Sequence, residues 1–217
     1  MLLNSGHSQF AKMSENTQQE RVAGNTRSRS VVAEMLAKNF ERLPDSDKKL
    51  FLYGPLYLGG NGALAGLVAN SLYRRALHVA QAPVTSGLPM AVLPFMTTVA
   101  LYNAAVSGPL LSGDLNCPSC ALIRGALVGL VGAGVYPILL AVPVNFGLAT
   151  RYNTAPMPEK GNMLRYVVDL SRPILRRMRA VLVLQVFFGT YLSSRHFDTY
   201  TKLAQITFGS GGEELKD

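Results

Sequence analysis

The sequence predicts an all-α membrane protein of about four transmembrane helices, with an N-terminal amphipathic helix and a basic interfacial helix before the last span. Three observations predict it. The chain is 48% hydrophobic and only 16% charged, against roughly 25% charged residues in ordinary soluble domains. Its apolar residues gather in uncharged runs long enough to cross a hydrocarbon core of ~30 Å at ~1.5 Å per residue. Its Lys and Arg flank those runs. The net charge of +8 therefore suits cationic loops against anionic lipid, and a nucleic-acid partner is not expected.

Residues 1–29 are polar and rich in Ser, Thr, Asn and Gln, and are expected to be disordered. They lack the apolar core of a secretory signal, and Glu15 and Glu20 disfavour a mitochondrial presequence. Over 30–43, Val32, Met35, Leu36, Phe40 and Leu43 recur at helical spacing, so an amphipathic helix is expected. The transmembrane helical domain covers 44–205, with spans near 51–73, 88–111, 125–147 and 178–195, and 206–217 reads as a flexible tail. The first run ends at Arg74 and Arg75, and the third lies between Arg124 and Arg151. The fourth is short. It crosses only if Arg176, Arg177 and Arg179 snorkel at one end and Arg195 at the other; a re-entrant or buried helix is the rival. The stretch 160–179, which also carries Arg172, reads as a basic amphipathic helix lying in the interface, attracted to anionic lipid such as cardiolipin. Ordinary cationic anchoring is the plainer alternative. Four spans place the two basic loops on one side, which the positive-inside rule assigns to the matrix or cytosol.

Two small-residue pairs stand out, Gly62/Gly66 and Gly125/Gly129. Each puts two glycines on one helix face, where another backbone can approach closely. They serve either the chain's own packing or a membrane partner. On the partner option, Leu at these positions should release the client and leave the protein inserted. Gly60-x-Gly62-x-x-Ala65 matches a dinucleotide fingerprint by chance, because it lies within a span and follows no strand. Cys117-Pro118-Ser119-Cys120 holds the only two cysteines. A disulfide locking the loop is favoured, with free thiols, a redox dithiol or half a metal site as alternatives. With only His7, His78 and His196 as histidines, a complete zinc site is not expected. Between their flanking basic residues, with 180–194 in the fourth, the spans contain no Asp, Glu, Lys, Arg or His, which disfavours an ion pump. Asn61, Asn70, Asn103, Asn145 and Gln185 are their main polar groups. They suit interhelical hydrogen bonds; a small-solute or lipid path would be lined by Asn61, Asn70 and Gln185. No catalytic or cofactor-binding residue is identified, and neither an enzyme activity nor a cofactor is expected.

In order along 44–205, the chain carries Gly66-Leu67-Val68-Ala69-Asn70-Ser71-Leu72 with Arg74-Arg75, Gly87-Leu88-Pro89-Met90-Ala91, and Gly113-Asp114-Leu115 with Cys117 and Cys120. Val135-Tyr136-Pro137, Ala141-Val142-Pro143-Val144-Asn145, Ala149-Thr150-Arg151-Tyr152 and Lys160-Gly161-Asn162 follow. This linked set resembles the transmembrane protein 126 family, and the two cysteines after Gly-Asp-Leu resemble its A-like branch. The resemblance implies a multi-pass protein of the mitochondrial inner membrane that helps assemble respiratory complex I. It implies membrane-arm subunits, other assembly factors and the inner-membrane insertase as partners, with the distal module as the A-like branch's target. It implies no catalytic residues. It also implies termini in the matrix, opposite to the side that the loop charges predict.

Overall fold

The computed structural model describes residues 31, 34–36, 38–155 and 162–209. The expectations for 1–29, and for the tail beyond 209, lie outside them. Among the described residues the fold is all-helical. Four long helices are joined by three short connections: α1 (Asp45–Ala76), α2 (Pro83–Leu111), α3 (Pro118–Tyr152) and α4 (Met163–Gly209). α1 packs on all three others, and α4 packs on α3 and α1.

α2 and α3 are long and apolar enough to cross a membrane, at 29 and 35 residues. α1 and α4 are as long or longer, at 32 and 47 residues. Gly, Asn and Tyr dilute the apolar character of α1, and Arg residues that of α4, so neither is as uniformly apolar as α2 and α3. The predicted basic interfacial helix and last span are one continuous helix. Pro173 sits inside it, and the helix passes the expected domain end at 205 to reach Gly209. A proline removes one backbone hydrogen bond, but long flanking helix can hold the axis through it.

Prolines explain two local departures. The turns before Gly108-Pro109 and before Pro137 wind as π-helix, Asn103–Ser107 and Gly129–Val135. Pro109 cannot donate to the carbonyl of Ala105, and Arg124 Nη1 takes that oxygen at 3.3 Å instead. The α2–α3 turn needs Gly113 at φ 73°, a conformation costly for a side chain with Cβ. Asn153 closes α3 in the left-handed region.

Residues 34–36 and 38–40 are helical, as the sequence predicts. Leu36 and Leu43 are buried against Leu203, with Phe40, Leu111 and Tyr200 around them. This segment therefore docks on the end of α4. The bundle's outside remains apolar: Leu52, Leu64, Leu88, Met96, Leu139 and Val183 are all exposed. Its inside carries buried Asn70, Ser86, Thr98, Asn145, Gln185 and His196. That inversion suits a chain whose solvent is lipid.

Candidate functional site

Both glycine pairs lie at contacts within the chain. Gly62 faces α2 and α3: a Cβ there would come 3.0 Å from Thr98 Oγ1 and 3.2 Å from Ala133 Cα. Gly66 lies against the Met90 carbonyl, with Pro94 Cγ 3.2 Å from any added Cβ. Gly125 and Gly129 face α4, against the backbones of Gly189 and Gln185. Gly189 returns the contact, so three glycines form one seam of touching main chains. Neither pair is open to a partner. A Leu at Gly129 would meet the Gln185 carbonyl and force α3 and α4 apart, so loss of a client in such a variant would not by itself mark these glycines as a partner face. Gly189 and Ser193 are themselves a small-x-x-x-small pair on α4, a signal that the sequence reading passed over.

The polar residues at depth tie helices together. Asn145 Nδ2 donates to Asn70 Oδ1 at 2.9 Å and to the Ala141 carbonyl at 2.8 Å. Asn70 Nδ2 donates to Ser86 Oγ at 3.2 Å, and Arg74 Nη1 donates to the same oxygen at 2.7 Å. Arg74 also reaches the carbonyls of Gln81 and Ala82. This guanidinium, expected to reach out as an interfacial anchor, folds back to lock the α1–α2 turn. Gln185 Nε2 donates to the Asn61 carbonyl at 3.0 Å. Asn70 and Gln185, proposed linings of a solute path, thus have polar atoms engaged by the chain itself.

The end formed by the N-terminus of α1 and the C-terminus of α4 holds ionisable groups that the span boundaries hid. Asp47, almost fully buried, accepts from Lys202 Nζ at 2.8 Å. His196 is buried, stacks on Phe51 with centroids 4.6 Å apart, and places Nε2 3.2 Å from the Leu50 carbonyl. Gly54 leaves room for that imidazole: an added Cβ would stand 2.7 Å from His196 Nε2.

At this same end Cys117 and Cys120 are exposed, and they are unbonded where a disulfide was expected. Cys117 caps α3, and its Sγ accepts the Cys120 N–H at 3.4 Å. Hydrogen bonds from the Cys120 side chain, and then from its backbone N–H, hold the Cys117 thiol below its ordinary value. A thiolate at a helix N-terminus beside a second thiol can exchange with disulfides. Among the described residues, no group of three or more His, Cys, Asp or Glu could hold a metal.

Arg75, Arg151, Arg172, Arg176, Arg177 and Arg179 belong to the opposite end and are exposed. Arg172 pairs loosely with Asp169 at 3.8 Å, and Arg179 Nε reaches the Arg176 carbonyl at 3.4 Å. An exposed aromatic surface lies between α1 and α4. There Tyr53, Tyr57, Phe187 and Tyr191 are 55–63% exposed around a cavity of about 410 Å³, with Gly54 at its floor.

Glycine-seamed helices, polar rungs inside and an apolar exterior define the class as an all-helical membrane bundle. The family described as Transmembrane protein 126 matches residues 30–210. Transmembrane protein 126A of Mus musculus is 48% identical over 176 residues, covering 81% of this chain and 90% of that protein. Transmembrane protein 126A of Homo sapiens is 44% identical over 172 residues, covering 79% and 88%. A protein named Complex I assembly factor TMEM126B, mitochondrial, of Mus musculus is 31% identical over 172 residues, covering 79% and 74%. The chain belongs to the transmembrane protein 126 family. No solved structure matches it.

Proposed function

We propose that this chain is a non-catalytic, multi-pass protein of the mitochondrial inner membrane that assists assembly of the membrane arm of respiratory complex I, with the distal module as its target. The observation that carries the proposal is kinship over the whole bundle with relatives named mitochondrial complex I assembly factors. All four long helices cross the bilayer, α1 and α4 shielding their polar residues against α2 and α3. The end rich in arginine faces the matrix, following the charge asymmetry of the loops.

The protein shields newly inserted membrane-arm subunits through a surface its own helices leave unused. With both glycine faces taken up internally, the aromatic groove between α1 and α4 is the favoured contact. Tyr and Phe offer large area at low entropic cost, and the groove is deep enough for a client side chain. The test is deletion of the protein followed by native-gel tracking of newly made complex I. Membrane-arm intermediates should stall while other respiratory complexes form normally. Normal complex I kinetics would refute the role.

A thiol redox protein is the second reading, favoured by the Cys117 cap and its neighbour Cys120. Ser at both positions separates the two: the assembly reading predicts near-normal complex I, the redox reading its loss.

A further inference from the structure

We propose that Arg75 and Arg177 form a headgroup site for an anionic phospholipid, set in the cleft where the last turn of α1 meets α4 at Pro173. The cleft encloses about 230 Å³ and is lined by Leu72, Arg75, Ala76, Pro173, Ile174 and Arg177. Leu72, Ala76 and the buried Ile174 make its apolar floor, and Arg75 and Arg177, both exposed, its rim. That is the polarity of a phospholipid at the interface, with its phosphate outward and its glycerol and first methylenes inward. The volume lies below the roughly 300–1,000 Å³ of pockets that swallow drug-sized ligands, so it fits a headgroup and not a whole lipid.

The two arginines are free for this task. Among the described residues neither has an acid or a carbonyl as partner, whereas nearby Arg74 spends its donors on Ser86, Gln81 and Ala82. A guanidinium is charged at every physiological pH and matches phosphate oxygens with paired donors. Tyr73 OH donates to Ser171 Oγ at 2.8 Å and pins α1 to α4 beside the cleft, so the walls are held before a ligand arrives. Pro173 keeps one wall free of an amide donor. Arg172, Arg176 and Arg179 add positive potential from the same stretch. Asp169, the described acid there, lies 3.8 Å from Arg172. A phosphate diester is therefore the complementary ligand, and the apolar floor selects one carrying acyl chains.

The test uses the full chain, purified in detergent and exposed in turn to cardiolipin, phosphatidylglycerol, phosphatidylcholine and inorganic phosphate, with bound species counted by native mass spectrometry. The two anionic lipids should bind at a defined low stoichiometry and phosphatidylcholine should not. In the double variant Arg75→Gln/Arg177→Gln, affinity for the anionic lipids should fall roughly thirtyfold. A control removing the same charge elsewhere, Arg165→Gln/Arg195→Gln, should stay within about twofold of the parent. Both rim arginines are exposed, so thermal unfolding in lipid-free detergent should be unchanged and any loss assignable to the site. Equal retention by the two double variants would overturn the proposal in favour of diffuse attraction. Displacement of the lipids by millimolar inorganic phosphate would overturn the lipid as ligand and leave a small-anion site.

Discussion

Helix α4 presents two faces that differ in kind. Toward α3 it offers Gly189 and Ser193, and main chains touch along Gly125 and Gly129. Toward α1 it offers Phe187, Phe188 and Tyr191, and the helices stand apart around an apolar cavity. In lipid no hydrophobic effect drives helices together, so close packing and interhelical hydrogen bonds must do it. The α3 face takes that route: Ser193 Oγ donates to the Ala121 carbonyl at 2.5 Å in the same seam. The α1 face keeps only scattered bonds, from Gln185 to the Asn61 carbonyl, between Tyr73 and Ser171 and between Lys202 and Asp47, and opens into the groove beside them. Phe188 packs on Tyr57, centroids 5.9 Å apart, but Tyr53, Phe187 and Tyr191 stay mostly exposed, a surface suited to something outside the chain. Small residues thus mark where this protein holds itself together, and on the proposed function the aromatic groove is where it would hold something else.

The sharpest way to break the contrast is at the seam. Gly129→Leu should cost more than the ~1–3 kcal/mol typical of overpacking, because a backbone and not a movable side chain stands in the way. Thermal unfolding in detergent should show loss of the cooperative transition. An intact transition would mean that the seam is not needed for the fold. Next comes the aromatic face. Tyr57→Ala with Phe187→Ala should leave the melting temperature nearly unchanged, each side chain being mostly exposed, yet stall complex I to the extent expected of deletion. A stable variant that still supports assembly would move client contact elsewhere.

Asn145→Leu probes a third kind of contact, away from both faces of α4. It strips Asn70 Oδ1 of its donor at 2.9 Å. The loss should be about 0.6–1.7 kcal/mol, the range of interhelical hydrogen bonds in membranes, read as a modest drop in unfolding temperature with assembly activity retained. The smallest effect concerns the loop. Its thiol held low, Cys117 should be alkylated by a maleimide ahead of Cys120, and its labelling should persist as pH falls below the ordinary thiol range. Equal labelling of both at every pH would show that the helix cap does not bias them. Applied to mitoplasts with an impermeant reagent, the same labelling also reports which compartment this end faces.

Much of the bundle was legible. Uncharged runs gave four helices, and small-residue spacing found the glycines of both seams, because each signal depends on local period alone. Their use was not legible, since whether Gly62 meets a client or Thr98 depends on tertiary placement. Arg74 illustrates a different limit: as a flanking cation it is equivalent to Arg75, and only the α1–α2 turn geometry tells the inward one from the outward one. Ser86 escaped notice, and His196 was weighed only as a zinc ligand, because neither stands out by its sequence neighbours. Their weight comes from partners 12 and 146 residues away in the chain. The continuity of α4 through Pro173 was missed because proline usually marks a boundary, and here the flanking helix overrides it.

The order in which the chain is made gives the α3–α4 seam one more meaning. The bond from Asn70 to Ser86 spans 16 residues and can close as soon as α2 emerges. Ser193 must reach back 72 residues to Ala121. If the helices enter the bilayer in chain order, α1, α2 and α3 would meet first, with the main chain at Gly125 and Gly129 bare until α4 arrives. A chain cut short before α4 would leave that strip uncovered, open to the wrong helix. The completed protein, by contrast, carries no trace of the exposure, so its own maturation passes through the vulnerable state from which it is proposed to rescue others.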